Sequence, residues 1–353
     1  MLASLYNLSE EELKAWLSER GFKPYVSDQL LRWLYPDRVG SFEEMSNLSK
    51  ALRSALAESF SLELPQIKLK SQAPDGTLKF LTQLHDGAEI ETVLLRHEDH
   101  NTLCLSTQVG CAMGCKFCLT ASMGLVRNLE PYEILAQVFL GVSLLPAGEG
   151  VRNLVFMGMG EPLHNFNHLV AALKNLLNPK GLGYSWRRIT ISTSGLLEEI
   201  QRFWDEPGIN ANLAISLNGV TQEARAELMP VGKRHRLEDL IALLKRLPLE
   251  TRERITFEYV LLKEVTDDLA SAKRLVALLN GIKAKVNLIP FNEVPSLPYQ
   301  APSAQQVKDF QRFLLDRGLM ATIRKSRGQE VSAACGQLAV GERRRGPILM
   351  ETP

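Results

Sequence analysis

The feature that most limits the fold is an alternation of strand-like and helix-like segments between about residues 97 and 330. The runs NLVFMGMG, RRITISTSG, NANLAISLNG, RITFEYVLL, AKVNLIPFN and MATIRKSRG are short and strand-like. Stretches with helical spacing, such as PYEILAQVFLGVSLL, HLVAALKNLL, LEDLIALLKRL, SAKRLVALLN and QQVKDFQRFLLDRG, stand between them. Repeated βα units set parallel strands side by side. With the strand ahead of the cysteine motif, about six or seven units fit, fewer than the eight that close a TIM barrel. The expectation is an α/β fold, a partial (β/α)6-type barrel over residues 97–330, with its chemistry on the loops that follow the strands.

Before the barrel the pattern changes. SEEELKAWLSERG sets apolar positions at helical spacing behind an acidic first turn and stops at Gly. VSDQLLRWLY and LSKALRSALAESF continue in the same way, so residues 1–63 are expected to form a small helical domain. IKLKSQA, TLKFLTQL, IETVLLR and NTLCLSTQV are β-rich runs parted by PDG and DG turns, which makes residues 64–96 a β-rich linker. Residues 331–353 form a C-terminal segment whose end, GERRRGPILMETP, carries no clear pattern. No run approaches the roughly 20 apolar residues that span a bilayer. The start turns acidic where a signal peptide stays apolar, so a cytoplasmic protein without membrane contact is expected. A net charge of +1 gives no global attraction to phosphates. Any nucleic-acid contact must rest on local clusters such as Arg187-Arg188, Lys233-Arg234-His235-Arg236, Lys325 with Arg327, and Arg343-Arg344-Arg345.

The five cysteines are Cys104, Cys111, Cys115, Cys118 and Cys335. An odd number, with three inside eight residues, argues against a secreted disulfide framework and for metal or redox chemistry. In CAMGCKFC, directly after TLCLSTQV, three thiolates on one tight loop suit a cubane cluster that leaves one iron open. Structural zinc is the competing reading. It wants four ligands, and the fourth would have to be Cys104 or Cys335.

Cys111-x3-Cys115-x2-Cys118, with an aromatic before the last cysteine, resembles the radical S-adenosylmethionine (SAM) superfamily. Gly158-Met159-Gly160-Glu161-Pro162 resembles its glycine-and-acid stretch, which implies that Gly160 and Glu161 meet the ammonium group of SAM. Cys104, Glu91, Thr193-Ser194-Gly195, Ser216-Leu217-Asn218, Asn292 and Ala334-Cys335-Gly336-Gln337-Leu338 narrow the likeness. They are similar to the dual-specificity 23S rRNA and tRNA adenine-C2 methyltransferases, over most of the chain. One departure is Asn218, where many members have histidine.

That resemblance implies a 4Fe-4S cluster on Cys111, Cys115 and Cys118, and SAM contacts from Ser192, Ser216, Leu217, Asn218 and Asn292. It implies that Cys335 carries a methyl group to the adenine, that Glu91 removes the C2 proton and that Cys104 resolves the protein–RNA link as a disulfide. The implied partners are 23S rRNA and tRNA and an electron donor such as flavodoxin, with the enzyme a monomer. Two other readings stay open on the sequence. The related enzymes that methylate C8 of adenine share the cluster motif and both outlying cysteines, and a non-catalytic zinc or iron-sulfur RNA-binding protein would share the loop.

Overall fold

The structure is a computed structural model and describes residues 2–251 and 253–339. Arg343-Arg344-Arg345 therefore lies outside the described residues.

Seven parallel strands follow one another across a single sheet: β4 (Asn101–Cys104), β5 (Asn153–Phe156), β6 (Ile189–Thr193), β7 (Asn212–Ser216), β8 (Ile255–Leu261), β9 (Ala284–Pro290) and β10 (Ala321–Ile323). Their order in the sheet is their order in the chain, with helices as the crossovers, so every strand C-terminus lies on one rim. Three antiparallel strands precede them: β1 (Gln66–Gln72), β2 (Leu78–Gln83) and β3 (Glu89–Arg96). The residues expected to bridge two domains thus extend the barrel sheet itself, because β3 pairs with β4 from Val93↔Cys104 to Arg96↔Asn101. The turns fall where the DG pairs stand. Thr77 donates its N–H to Asp75 and Ala88 to Asp86, and Gly76 and Gly87 follow with positive φ. The two edges, β1 and β10, are not paired with each other, so the barrel is open.

The sheet curls around a lumen of about 690 Å³. Thr102, Val155, Thr190, Thr256, Asn287 and Thr322 from six different strands face into it. The crossover helices include Leu197–Asp205, which buries Ile200 and Phe203 and which the sequence patterns above did not single out.

The N-terminal helices Glu10–Glu19, Val26–Arg32 and Lys50–Ser59 lie where expected. The first is closed by a capping box between Ser9 and Glu12. These helices share one continuous apolar core with the barrel. Tyr6 packs on Phe139 at 5.4 Å between ring centroids, and the Asn175 side chain donates to the carbonyls of Tyr6 and Leu8. Among the described residues no helix is long and apolar enough to cross a membrane.

Candidate active site

The cysteine loop does not follow β4 directly. The strand stops at Cys104, and residues 105–107 run on beside β5 and the turn after it, with Leu105 donating to Val155 and Thr107 to Met159. A short ribbon follows, Gln108–Gly110 paired antiparallel with Leu125–Asn128, and its loop carries Cys111, Cys115 and Cys118. Gly110 closes the base of this ribbon with φ +76°, and a Cβ there would lie 1.8 Å from the Gly124 carbonyl oxygen. That same oxygen accepts the Cys111 N–H at 2.8 Å. Beneath the loop, Leu119, Met229, Val260, Ile289 and Phe291 form a second apolar cluster that shields it from water.

All three thiols line one pocket at the C-terminal rim. Burial pushes Cys111 up to about 12 and raises Cys115 and Cys118 as well, and repulsion between the thiolates adds to this. A set of buried and half-buried thiols whose ionised forms repel one another fits a group that brings positive charge. Among the described residues no three His, Cys, Asp or Glu side chains converge on a single metal position. The ligands of a cubane bind separate irons and need not converge, so the loop fits a cluster.

The opposite wall of the pocket comes from β5 and the turn after it. Gly158 and Gly160 are dictated by packing. A Cβ on Gly158 would sit 2.7 Å from the Leu105 carbonyl, and one on Gly160 2.8 Å from the Gln108 N. Glu161 is buried at the pocket wall and accepts the N–H of Ser194 at 2.7 Å and that of Leu163 at 3.1 Å. Burial raises its carboxyl above the ordinary range, with the Ser194 and Thr193 hydrogen bonds opposing. A carboxylate so oriented is a ready partner for an ammonium group.

Ser192 and Ser216, at the ends of β6 and β7, also line the pocket, as do Asn218 and Asn292. Leu217 does not share that exposure. Its side chain is fully buried in the main core, and its N–H is bonded to the Glu258 carbonyl, so it reaches no cofactor through its side chain. Asn218 adopts φ +51°, a left-handed conformation that asparagine tolerates well, and its Oδ1 accepts the Val260 N–H at 2.9 Å. Asn292 is already engaged: it donates to the Cys335 carbonyl at 3.2 Å and accepts from Gln329 at 2.9 Å.

Comparison with known proteins matches residues 3–62 to the ribosomal RNA large subunit methyltransferase N-terminal domain and residues 105–276 to the radical SAM superfamily. The chain is 47% identical over 335 residues to the dual-specificity RNA methyltransferase RlmN of Syntrophotalea carbinolica, covering 95% of this chain and 89% of that one. The chain belongs to the RlmN family of dual-specificity RNA methyltransferases. It is also 45% identical to the probable dual-specificity RNA methyltransferase RlmN of Bacillus subtilis, over 96% of this chain and 94% of that one. A crystal structure of a radical SAM methyltransferase from Sphaerobacter thermophilus superimposes with a TM-score of 0.89 at 41% identity, covering 95% and 99% of the two chains.

Within this family framework, both outlying cysteines face the lumen, and Cys335 faces the rim pocket too. Both thiols are free, and burial pushes Cys104 up to about 12, with the nearby Cys335 adding to the shift. The C-terminal segment is pinned beside the cluster loop: Leu119 donates to the Gly336 carbonyl at 2.8 Å and Thr120 to Leu338 at 2.6 Å. Glu91 is placed differently from the other site residues. It is not among the described residues that line either cavity. Its carboxylate pairs with Lys79 at 2.6 Å and accepts the Ala339 N–H at 2.9 Å.

Two residues that the sequence reading missed stand between the cavities and line both, Glu258 on β8 and Arg324 just after β10. Asn287 donates to both Glu258 oxygens, and burial raises this carboxyl, with Arg324 opposing. Arg324 is held cationic chiefly by Cys335, then Glu258 and Cys104. The signal was present in the sequence as a lone acid inside RITFEYVLL and as the first of three bases inside MATIRKSRG. Arg225 was missed as well. It is wholly buried behind Cys115, where burial lowers it to about 10. Of the basic clusters, Lys325 and Arg327 line the lumen. Arg187 is exposed and stacks on Trp186, and His235 is buried within its run.

Proposed function

We propose that this chain methylates C2 of an adenine in 23S rRNA and in tRNA, through a methyl group carried on Cys335 and at the expense of two SAM molecules per turnover. The observation that carries this reading is the placement of Cys335, which faces both the three-cysteine pocket and the lumen that holds Cys104. Cys111, Cys115 and Cys118 would hold a 4Fe-4S cluster, and Glu161 would meet the ammonium of SAM. Ser192, Ser216, Asn218 and Asn292 would line the rest of the SAM site. The cluster and SAM supply, when bound, the one-electron chemistry that removes hydrogen from an unactivated methyl group.

The chain's own residues account for the remaining steps. The Cys335 thiolate takes the methyl of the first SAM, its new sulfur–carbon bond forming as the sulfonium bond breaks. Arg324 lies near both outlying thiols, and its charge partly opposes the burial that raises Cys104. After the carbon has joined the adenine, the adduct gives up one electron, which the cluster would take back, and Glu91 accepts the C2 proton, which requires the Ala339 N–H to let go of its carboxylate. Cys104 then attacks the Cys335 sulfur. A disulfide forms, the carbon–sulfur bond breaks, and the released carbon takes up a proton to complete the methyl group. An electron donor such as flavodoxin and a monomeric state complete the reading.

The adenine enters from the opposite end of the lumen, where His97, Lys285, Lys325 and Arg327 gather. A groove lined by Trp186, Arg187 and Arg254 adjoins it through the shared Lys285 and Met320. Basic and aromatic groups suit a splayed-out, single-stranded loop. The test is chromatographic mass spectrometry of nucleosides from rRNA and tRNA after anaerobic incubation with reconstituted protein, SAM and a reductant. 2-Methyladenosine is expected. 8-Methyladenosine would move the reaction to the other carbon, and the absence of both despite an intact cluster would refute the substrate assignment.

A further inference from the structure

Arg225 heads the fully buried side chains by volume, with 0% of its surface exposed. It sits in the short helix Gln222–Leu228, and three glycines make room for it. A Cβ on Gly195 would come within 2.9 Å of its Nη2, one on Gly232 within 3.1 Å of its Nη1, and one on Gly219 within 2.6 Å of its Cα. Nη2 donates to the Ser194 carbonyl. Nε and Nη1 are buried without any hydrogen-bond partner, and among the described residues no carboxylate oxygen lies within 4.0 Å of the guanidinium.

A buried cation without a counter-charge is strongly unfavourable, and the described residues supply none, which points to a bound group as its balance. Among the described residues the group of opposite sign that acts on Arg225 is Cys115, a thiol of the three-cysteine pocket. Ser194, which takes the Arg225 hydrogen bond, also donates its N–H to Glu161 in the same pocket. The arginine therefore stands directly behind the wall that holds both the thiols and the acid.

We propose that Arg225 is the counter-cation of the group bound by Cys111, Cys115 and Cys118, and that it sets that group's reduction potential. The inference rests on the function proposed above only for the nature of the group, an iron-sulfur cluster. A cluster with three thiolates is net negative and gains a further negative charge on reduction. A fixed cation beside it therefore favours the reduced form. Arg225 acts through the cluster and touches no substrate.

The experiment compares wild type, Arg225→Met and Arg225→Lys after anaerobic reconstitution. Iron and sulfide content are measured first, and the cluster midpoint potential is then read by EPR-monitored titration. With cluster content near wild type, Arg225→Met is expected to titrate at a more negative potential and Arg225→Lys to return toward the wild-type value. Urea midpoints of the iron-free proteins are measured in parallel. Arg225→Met should be at least as stable as wild type, because it removes an uncompensated buried charge. An unchanged potential in Arg225→Met overturns the proposal, as does a loss of iron-free stability, which would mark Arg225 as a structural strut. A wild-type protein that assembles no iron-sulfur cluster overturns the functional reading, and the inference falls with it.

Discussion

Replacing Gly110 with alanine asks whether the base of the ribbon, beyond the cysteines themselves, builds the cluster pocket. The added Cβ would lie 1.8 Å from the Gly124 carbonyl oxygen at a residue with φ +76°. The side chain can be housed only by parting the two strands and giving up the 2.8 Å bond from Cys111 N–H to that oxygen. The left-handed backbone costs alanine about 1–2 kcal/mol. A buried amide left without its partner adds about 1–3 kcal/mol. The sum, about 2–5 kcal/mol, falls on one short hairpin, and about 1.4 kcal/mol already lowers the population of the closed ribbon tenfold. Gly124→Ala is the control. It has φ +68° with nothing within 4 Å of the new Cβ, so it carries the backbone cost alone. Iron and sulfide per chain, with visible absorbance, are measured after anaerobic reconstitution. Gly110→Ala is expected to lose most of its cluster while its far-ultraviolet circular dichroism stays native, and Gly124→Ala to retain most of it. Equal iron in Gly110→Ala and wild type, or equal loss in both variants, would refute the reasoning.

Further outcomes follow from the same site. Glu161→Gln removes a charge-assisted bond worth roughly 1.5–3 kcal/mol. SAM affinity, read by calorimetry on the cluster-loaded protein, should weaken at least about tenfold; an unchanged Kd removes Glu161 from the SAM site. Cys104→Ala is expected to accumulate RNA covalently held on Cys335, visible as a shifted band in a denaturing gel. Cys335→Ala should never form that band, and free methylated product from either variant contradicts the assigned roles. Burial holds the Glu258 carboxyl above its ordinary value of 4.5, so the folded protein is favoured while this group is protonated and loses stability as pH rises through the raised value. Glu258→Gln should therefore exceed wild type in urea midpoint by a margin that grows from about pH 5 to pH 7. A margin that stays constant with pH would refute the raised carboxyl of Glu258 in the folded protein.

The sequence by itself determined the order of elements, because its signals are local. Short β-rich runs, a period near 3.6 in the helices, and Gly or Asp at the turns survive without any knowledge of the partner strand. The three-cysteine loop was equally plain, since eight consecutive residues contain it whole. Its exact setting was less so: TLCLSTQV reads as one strand, yet the chain leaves the sheet after Cys104 and starts a separate ribbon.

Only the tertiary structure decided what depends on residues far apart in the chain. It set the β1–β3 linker into the barrel sheet through pairing with β4, and it explained Gly158 and Gly160 by their closeness to Leu105 and Gln108. It turned Leu217 into the core and drew Cys104 and Cys335, 231 positions apart, to one lumen. It also buried Arg225 and, among the described residues, left its charge unbalanced. Burial and electrostatic balance are properties of the packed neighbourhood, and a one-dimensional pattern does not carry them.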